Sequence, residues 1–427
     1  MATIPSIAMI PSGYKASKLY SVLPTNGSGD LTVVRAGATP DFNATRVNSE
    51  GLIESVLANV PRLDYTGGGC PSLLVEPQRT NLVTYSEDFT DVSWNKTGSS
   101  ILSDTTMNPR GVASGQYLQE DTSTGAHELA KPSITITEGS ILTSSLFFKR
   151  KTGSADRFLR IQIADNTFTN GARVLFNIQT GTIAVSPLAT GLGSNVSAKI
   201  EDYGNGWYRG SLTCKLDDVS TTVRANNYLQ SSGVGFTATY TGDGVSGAYL
   251  FGAQLEQGAY STSYIPTVAS TVTRVKDVIS RTDLYTNGLV TNSGGTWFVE
   301  LINNKDLIRD ASSNMFLGTS TSGNDTAFII RSNSATSAKL SISTRISGSI
   351  TAAELITTET AKVLVKWNGV TCDFFINGTK YDAGTSFPFI ELNFLTIDGV
   401  DVPKYIKQMQ IFPTPLTDLE CETLTTL

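Results

Sequence analysis

The stretch KVLVKWNGVTCDFFING, residues 362–378, constrains the chain most. Val363, Val365 and Trp367 alternate with polar or outward positions, and Cys372, Phe374 and Ile376 repeat the pattern after a break. A period of two places alternate side chains on opposite faces of a strand, and no helix presents that pattern as a continuous apolar face. Asn368-Gly369 between the runs favours a type I′ turn, whose two central residues take positive φ, and Asn377-Gly378 offers a second turn of the same kind. Similar signals recur. In ARVLFNIQTGTIAVS (172–186), Val174, Phe176 and Ile178 share a face, Thr180-Gly181 supplies a turn, and Ile183 and Val185 resume the apolar face. SSLFFKR, FLRIQIA and TWFVELI read as further strands, and KLSISTRI places Leu340, Ile342 and Ile346 on one face. Near the end, KQMQIFPTPLTDLECETL reads as a strand, a proline-marked break and one short helix, with Thr417 as N-cap and Glu420 as its capping-box partner.

The expected fold is therefore all-β: an extended N-terminal arm followed by two β-sandwich domains of jelly-roll or concanavalin-A-like type. The boundaries read as an arm over 1–80, a first sandwich over 81–267, a connector over 268–287 and a second sandwich over 288–427. Within the arm, NVPRLDYTGGGCPSLLVEPQRTNL (59–82) is too broken by Gly and Pro for a helix or a central strand. Leu63, Tyr65, Leu73, Leu74 and Val75 nonetheless need burial. This segment is expected to pack on the first sandwich or on a neighbouring chain.

Composition narrows the function. Of 427 residues, 40% are hydrophobic and only 16% charged, with a net charge of −6. About 25% charged is usual, so the surface is rich in neutral polar residues. No Lys/Arg run marks a nucleic-acid partner. No apolar run approaches the roughly 18 residues of a membrane helix. MATIPSIAMIPSGYK lacks the basic start and long apolar run of a signal peptide. The four cysteines, Cys70, Cys214, Cys372 and Cys421, form no CxxC and read as buried reduced thiols.

Catalytic machinery is sparse in the sequence. A Ser-His-Asp triad would have to use the one histidine, His127, and no serine sits in GxSxG. His127 reads instead as a solvated residue at a strand edge. A carboxylate pair for glycoside hydrolysis is defined by spatial separation, so spacing does not settle it. Glu87-Asp88 and Asp217-Asp218, adjacent in sequence, would point to opposite faces of a strand. No metal site or cofactor is expected. Calcium could be held through Asp243 and carbonyls in TGDGVSG, where a single carboxylate makes a weak site, or by Glu256 and Asp88 as ligands of a structural calcium in the first sandwich.

Glycan recognition has one candidate. In GNGWYRGSLTCKL (204–216), Tyr208, Leu212, Cys214 and Leu216 fall on one face, and Trp207, Arg209, Ser211, Thr213 and Lys215 on the other. A ring there would stack on the C–H face of a sugar while polar neighbours bond its hydroxyls. Trp207 and Arg209 are thus the carbohydrate-binding candidates, provided that neither the arm nor a neighbouring subunit covers this face. Trp94, Trp297 and Trp367 read as core residues.

ATRVNSEGLIESVLANVPRLDYTGGGCPSLLVEPQRTNLVTYSEDF (44–89) resembles an arm segment of bacteriophage head-spike or head-fibre domain proteins. YLFGAQLEQGAYSTSYIPT (249–267) looks like the end of a carbohydrate-binding-module-like jelly roll. The WNG hairpin, FFING and LTDLECETL are similar to laminin-G or concanavalin-A-like sandwiches. The resemblance implies a virion structural protein on the capsid surface. It would be a non-catalytic head fibre, a homotrimer held to capsid proteins by its N-terminal arm, with weak adhesion to host or environmental glycans. A tail-associated receptor-binding fibre, a purely structural decoration and a polysaccharide-degrading enzyme are the competing readings.

Overall fold

A computed structural model describes residues 3–35, 44–291, 294–302, 314–318, 326–333, 339–344, 350–355, 360–386, 392–398 and 404–427. The fold is all-β, with one helix among the described residues. Contacts divide the chain into a central unit, Asn43–Ser55 with Arg79–Arg274, and a flanking unit, Met1–Phe42, Val56–Gln78 and Val275–Leu427.

The central unit is a sandwich of two antiparallel sheets. One has seven strands: in spatial order Asn95–Thr97, Thr124–Thr135, Thr222–Gln230, Phe158–Ala164, Gly171–Asn177 and Thr182–Thr190, with Thr239–Thr241 also on the 124–135 strand. The other contains Ser99–Met107, Ala113–Glu120, Gly247–Gln257, Ile141–Lys149, Trp207–Lys215 and Ser194–Asp202. Leu129, Ile161, Val174 and Phe176 of the first meet Leu118, Phe148, Leu212 and Leu250 of the second in one buried core. Interdigitating inner faces are what hold such a sandwich together. The expected hairpin at 172–186 forms, with Asn177 opposite Thr182 and Gly181 at φ 63°. Its return strand is an edge strand, and Ile183 is exposed rather than part of an apolar face.

The flanking unit is also two-layered. One sheet runs Thr379–Ser386, Thr371–Ile376, Thr360–Trp367, Gly295–Ile302, Lys404–Phe412, Ser72–Val75 and Arg62–Asp64, with Ile7–Met9 also on the 404–412 strand. The other runs Tyr14–Lys15, Lys18–Leu19, Leu31–Val34, Val278–Arg281, Phe394–Asp398, Asn314–Gly318, Thr326–Asn333, Lys339–Thr344 and Ile350–Leu355. Leu31, Val33, Ile279 and Ile397 of one pack with Trp297, Val365, Phe374 and Met409 of the other. The side chains of KLSISTRI lie outside those described.

The arm is thus not a separate segment, and 59–82 divides between the units: its last residues belong to the central unit, where the Asn81 side-chain amide donates to the Ala253 and Ile265 carbonyls at 3.1 and 2.8 Å, and the rest belongs to the flanking unit. Arg62–Asp64 and Ser72–Val75 form a hairpin, and Leu73 pairs with Ile406 and Leu74 with Tyr405 in the last strand. Leu63, Leu73 and Val75 enter the flanking core. Each such burial stabilises by roughly 1.5–3 kcal/mol. Gly67, Gly68 and Gly69 carry the hairpin loop at φ 87°, 76° and 77°, where a side chain would be strained. Nor is 268–287 a connector: Val272–Arg274 pairs with Arg79–Asn81, and Val278–Arg281 is an interior strand between Leu31–Val34 and Phe394–Asp398.

The two Asn-Gly turns differ. Asn377-Gly378 is a two-residue connection with φ 49° and 83°, as expected, and Ile376 pairs with Thr379. Asn368-Gly369 is not. Trp367 pairs with Cys372 across a four-residue loop, and the Asn368 side chain accepts from the Val370 and Thr371 amides at 3.0 and 2.8 Å. The asparagine here caps its own loop instead of adopting positive φ.

The helix is Asp418–Thr425, with Thr417 as N-cap and a complete capping box to Glu420. It covers Phe298, Leu364, Phe375 and Phe412 with Leu416 and Cys421. Thr417→Ala is expected to cost about 1 kcal/mol in the local opening free energy of this helix, read by amide hydrogen exchange. Unchanged protection would show that packing alone holds it. Burial pushes the Cys214, Cys372 and Cys421 thiols up to about 12, so they are inert core groups, whereas Cys70 is exposed against expectation. No described helix is long and apolar enough to cross a membrane.

Candidate functional site

Trp207 and Arg209 lie on the outer face of the six-stranded sheet, as their alternation requires, but that face is covered. Trp207 is 2% exposed and its Nε1 donates to the Met107 carbonyl at 2.9 Å. Arg209 is equally buried. Its guanidinium donates to the Thr262 carbonyl at 2.8 Å and Ser145 Oγ at 2.9 Å, and lies 5.1 Å from the Phe147 ring centre. Burial opposes its charge, but Tyr203, Glu201 and Glu256 hold it ionised. The cover comes from the same unit: Ile53 and Tyr264 join Tyr117, Phe147, Tyr249 and Phe251 in a second apolar cluster. Arg209 is therefore a structural residue. Trp207 offers no open platform.

A groove of about 690 Å³ opens beside it. One wall is the tight connection between Ser194–Asp202 and Trp207–Lys215. There Asp202 Oδ1 accepts from the Gly204 amide at 2.7 Å, and the Trp207 amide donates to the Gly204 carbonyl at 2.9 Å. Asn205 and Gly206 take φ 52° and 78°. Tyr203, half-buried, stands edge-on to Phe147 at 4.8 Å and 82°, which holds its ring upright in the groove. The other wall is Met107, Pro109 and Leu52. Asn108 Oδ1 accepts from the Arg110 and Val112 amides at 2.8 and 3.1 Å, closing the loop. The Ile53 amide donates to the Pro109 carbonyl at 2.9 Å, tying the Ala44–Val47/Ile53–Val56 hairpin to that loop. A Cβ on Gly111 would come within 2.8 Å of Leu52 Cδ1.

The floor carries Lys149, half-buried, opposite Trp207 and Tyr249 in register. A Cβ on Gly206 would lie 3.7 Å from its Cε, so the lysine stem runs along the glycine. The groove thus combines an aromatic ring, apolar walls, Thr105 and Asn205 at the rim and one ammonium. Its lining holds no carboxylate, imidazole or thiol. It can bind a small ligand with one apolar and one polar face, and it lacks the carboxylate pair of glycoside hydrolysis.

The other residues weighed for chemistry are structural where described. His127 is fully buried, not solvated; its Nδ1 lies 2.5 Å from the Gly98 carbonyl and its ring 4.5 Å from that of Tyr240. Of the carboxylates weighed for calcium, Asp243 is opposed by burial yet held far below the usual range by Ser246, the Val245 amide and Arg157. Glu256 accepts from the Thr262 amide and hydroxyl, both at 2.7 Å, and Asp88 from Thr90. No three His, Cys, Asp or Glu side chains gather around a metal position among the described residues.

No protein-family model matches the chain, and no curated protein matches it. Solved structures offer distant similarities. The chain is similar to the mouse laminin alpha1 chain, domains LG4-5, at 9% identity and a TM-score of 0.19, over 70% of this chain and 90% of that one. It is also similar to the N-terminal CBM22-1-CBM22-2 tandem domain of Paenibacillus barcinonensis Xyn10C, at 10% identity and a TM-score of 0.24, over 78% and 98%. The β-sandwich assignment rests on the sheets themselves, and the reading of the groove on its residues.

Sequence reasoning selected Trp207 but missed Tyr203, Lys149 and Asn205. The available signal was GNG, which demands a tight turn with positive φ and so places Asn205 at a loop tip beside Tyr203; nothing local points to Lys149.

Proposed function

We propose that this chain is a non-catalytic virion fibre protein of the capsid surface that adheres weakly to surface glycans through the groove at Tyr203. The groove carries the adhesion part of the reading: a held aromatic ring beside polar rim groups suits the mixed apolar and hydroxylated surface of a sugar, and its lining holds no carboxylate pair of the kind that hydrolyses glycosides. The virion part rests on the resemblance of residues 44–89 to head-fibre arms. Assembly as a homotrimer bound to capsid proteins belongs to the same reading. Three linked copies would turn weak sites into firm adhesion, because avidity gains of about 10² to 10⁴ need no new contact.

Two measurements test it. Tyr203→Ala is expected to abolish glycan-array binding by the intact protein; because Tyr203 also packs on Phe147 and helps hold Arg209 ionised, its melting temperature is expected to fall, and circular dichroism at the array temperature is expected to show the variant still folded. Retained binding would remove the groove from the reading. Antibody labelling of intact particles is expected to mark the head. Label on the tail would replace the head fibre with a receptor-binding tail fibre, and unlabelled particles would sink the virion assignment.

A further inference from the structure

We propose, building on the glycan reading above, that the groove selects sugars carrying a carboxylate, with Lys149 pairing with that group. Lys149 is the one charged residue in the lining. Its ammonium makes no hydrogen bond or ion pair with any described residue, although its stem is packed in place along Gly206. A cation held half-buried without a partner, in a concavity without carboxylates, is a preorganised counter-charge.

The nearest acidic residues in sequence to the groove walls are already engaged. Asp104 accepts from the Thr106 amide at 2.9 Å and the Tyr249 hydroxyl at 2.8 Å, with Lys151 Nζ 4.0 Å away. Asp202 is turned to the Gly204 amide. Neither forms an ion pair with Lys149. Strand register places Lys149 on the same outer face as Trp207 and Tyr249, directly behind the turn that presents Tyr203 and Asn205. A sugar ring seated against Tyr203 would project one edge toward Asn205 and Thr105, which suit hydroxyls, and another toward the ammonium. A hydroxymethyl group there would leave the charge unpaired; a carboxylate would complete it. The ligand class is therefore a uronic-acid-type sugar, as the end or an internal unit of an acidic polysaccharide.

The test uses the full chain and matched oligosaccharide pairs: glucuronate and glucose, galacturonate and galactose, mannuronate and mannose, identical but for a carboxylate in place of a hydroxymethyl group. Binding is followed by ligand-observed NMR. The acidic member of at least one pair is expected to bind about tenfold or more tightly, with the preference shrinking as salt rises. Lys149→Gln is expected to erase the preference but keep weak binding and normal melting, and Lys149→Arg to keep the preference. Equal binding of acid and neutral members in the unaltered chain would overturn the inference and leave the glycan reading intact. Binding of neither member of any pair would overturn both. A preference that survives Lys149→Gln would overturn the role assigned to Lys149.

Discussion

Replacing Arg62 with methionine is expected to destabilise the flanking unit by about 3–5 kcal/mol, the usual result of leaving a buried charge uncompensated. Arg62 has a fully buried side chain that bonds Glu76 and Asp277, themselves 1% and 2% exposed. Burial works against its charge, but the two carboxylates keep it ionised. Arg35 completes the set, donating to Asp277 Oδ1 at 2.9 Å and to the Val60 carbonyl at 3.1 Å. Two guanidiniums thus balance two carboxylates, and the network ties 31–35, 62–64, 76 and 277 together. The expected loss is a large share of the roughly 5–15 kcal/mol that holds a domain. Amide exchange resolved by peptide reads it: protection should fall over 62–64, 72–75 and 278–281. Adding Glu76→Leu should restore part of the loss, because Arg35 and Asp277 then remain a balanced pair. A single-variant loss below about 1 kcal/mol would show that water or rearrangement rescues the carboxylates.

Phe176→Ala should cost the central unit about 3–5 kcal/mol, the range for large-to-small core changes. Phe176 is fully buried, with its ring 5.7 Å from that of Phe148. Gly210 lies against both: a Cβ there would come within 2.8 Å of Phe176 and 3.0 Å of Phe148. Gly210→Ala alone should therefore overpack the core. In the Phe176→Ala background the added methyl enters the vacated space, and the double variant should be more stable than the sum of the single losses predicts. Denaturant midpoints of the four proteins decide it. Strict additivity would mean that the methyl does not reach the cavity.

The core tryptophans Trp94, Trp297 and Trp367, the strands at 158–164, 171–177 and 360–376, the Asn377-Gly378 turn and the capped helix at 418–425 were all legible in the chain. Each depends on residues within a few positions of one another: a period of two, a pair able to take positive φ, a threonine three residues before a glutamate. The capping box holds whatever packs around it, because both its bonds are local.

What covers a face is decided by residues far away in the chain. Trp207 alternates as an outward residue should, and no local signal indicates that Ile53 and Tyr264 close over that face while its indole bonds Met107, one hundred positions earlier. The same holds for Leu73 and Val75, whose burial was evident from their apolarity but whose partner strand at 404–412 was not. Strand pairing satisfies backbone groups equally well with near or distant sequence, so tertiary structure alone selects the partner. The groove follows from that choice: Leu52, Met107, Lys149 and Tyr203 meet only because four separate segments end at the same rim.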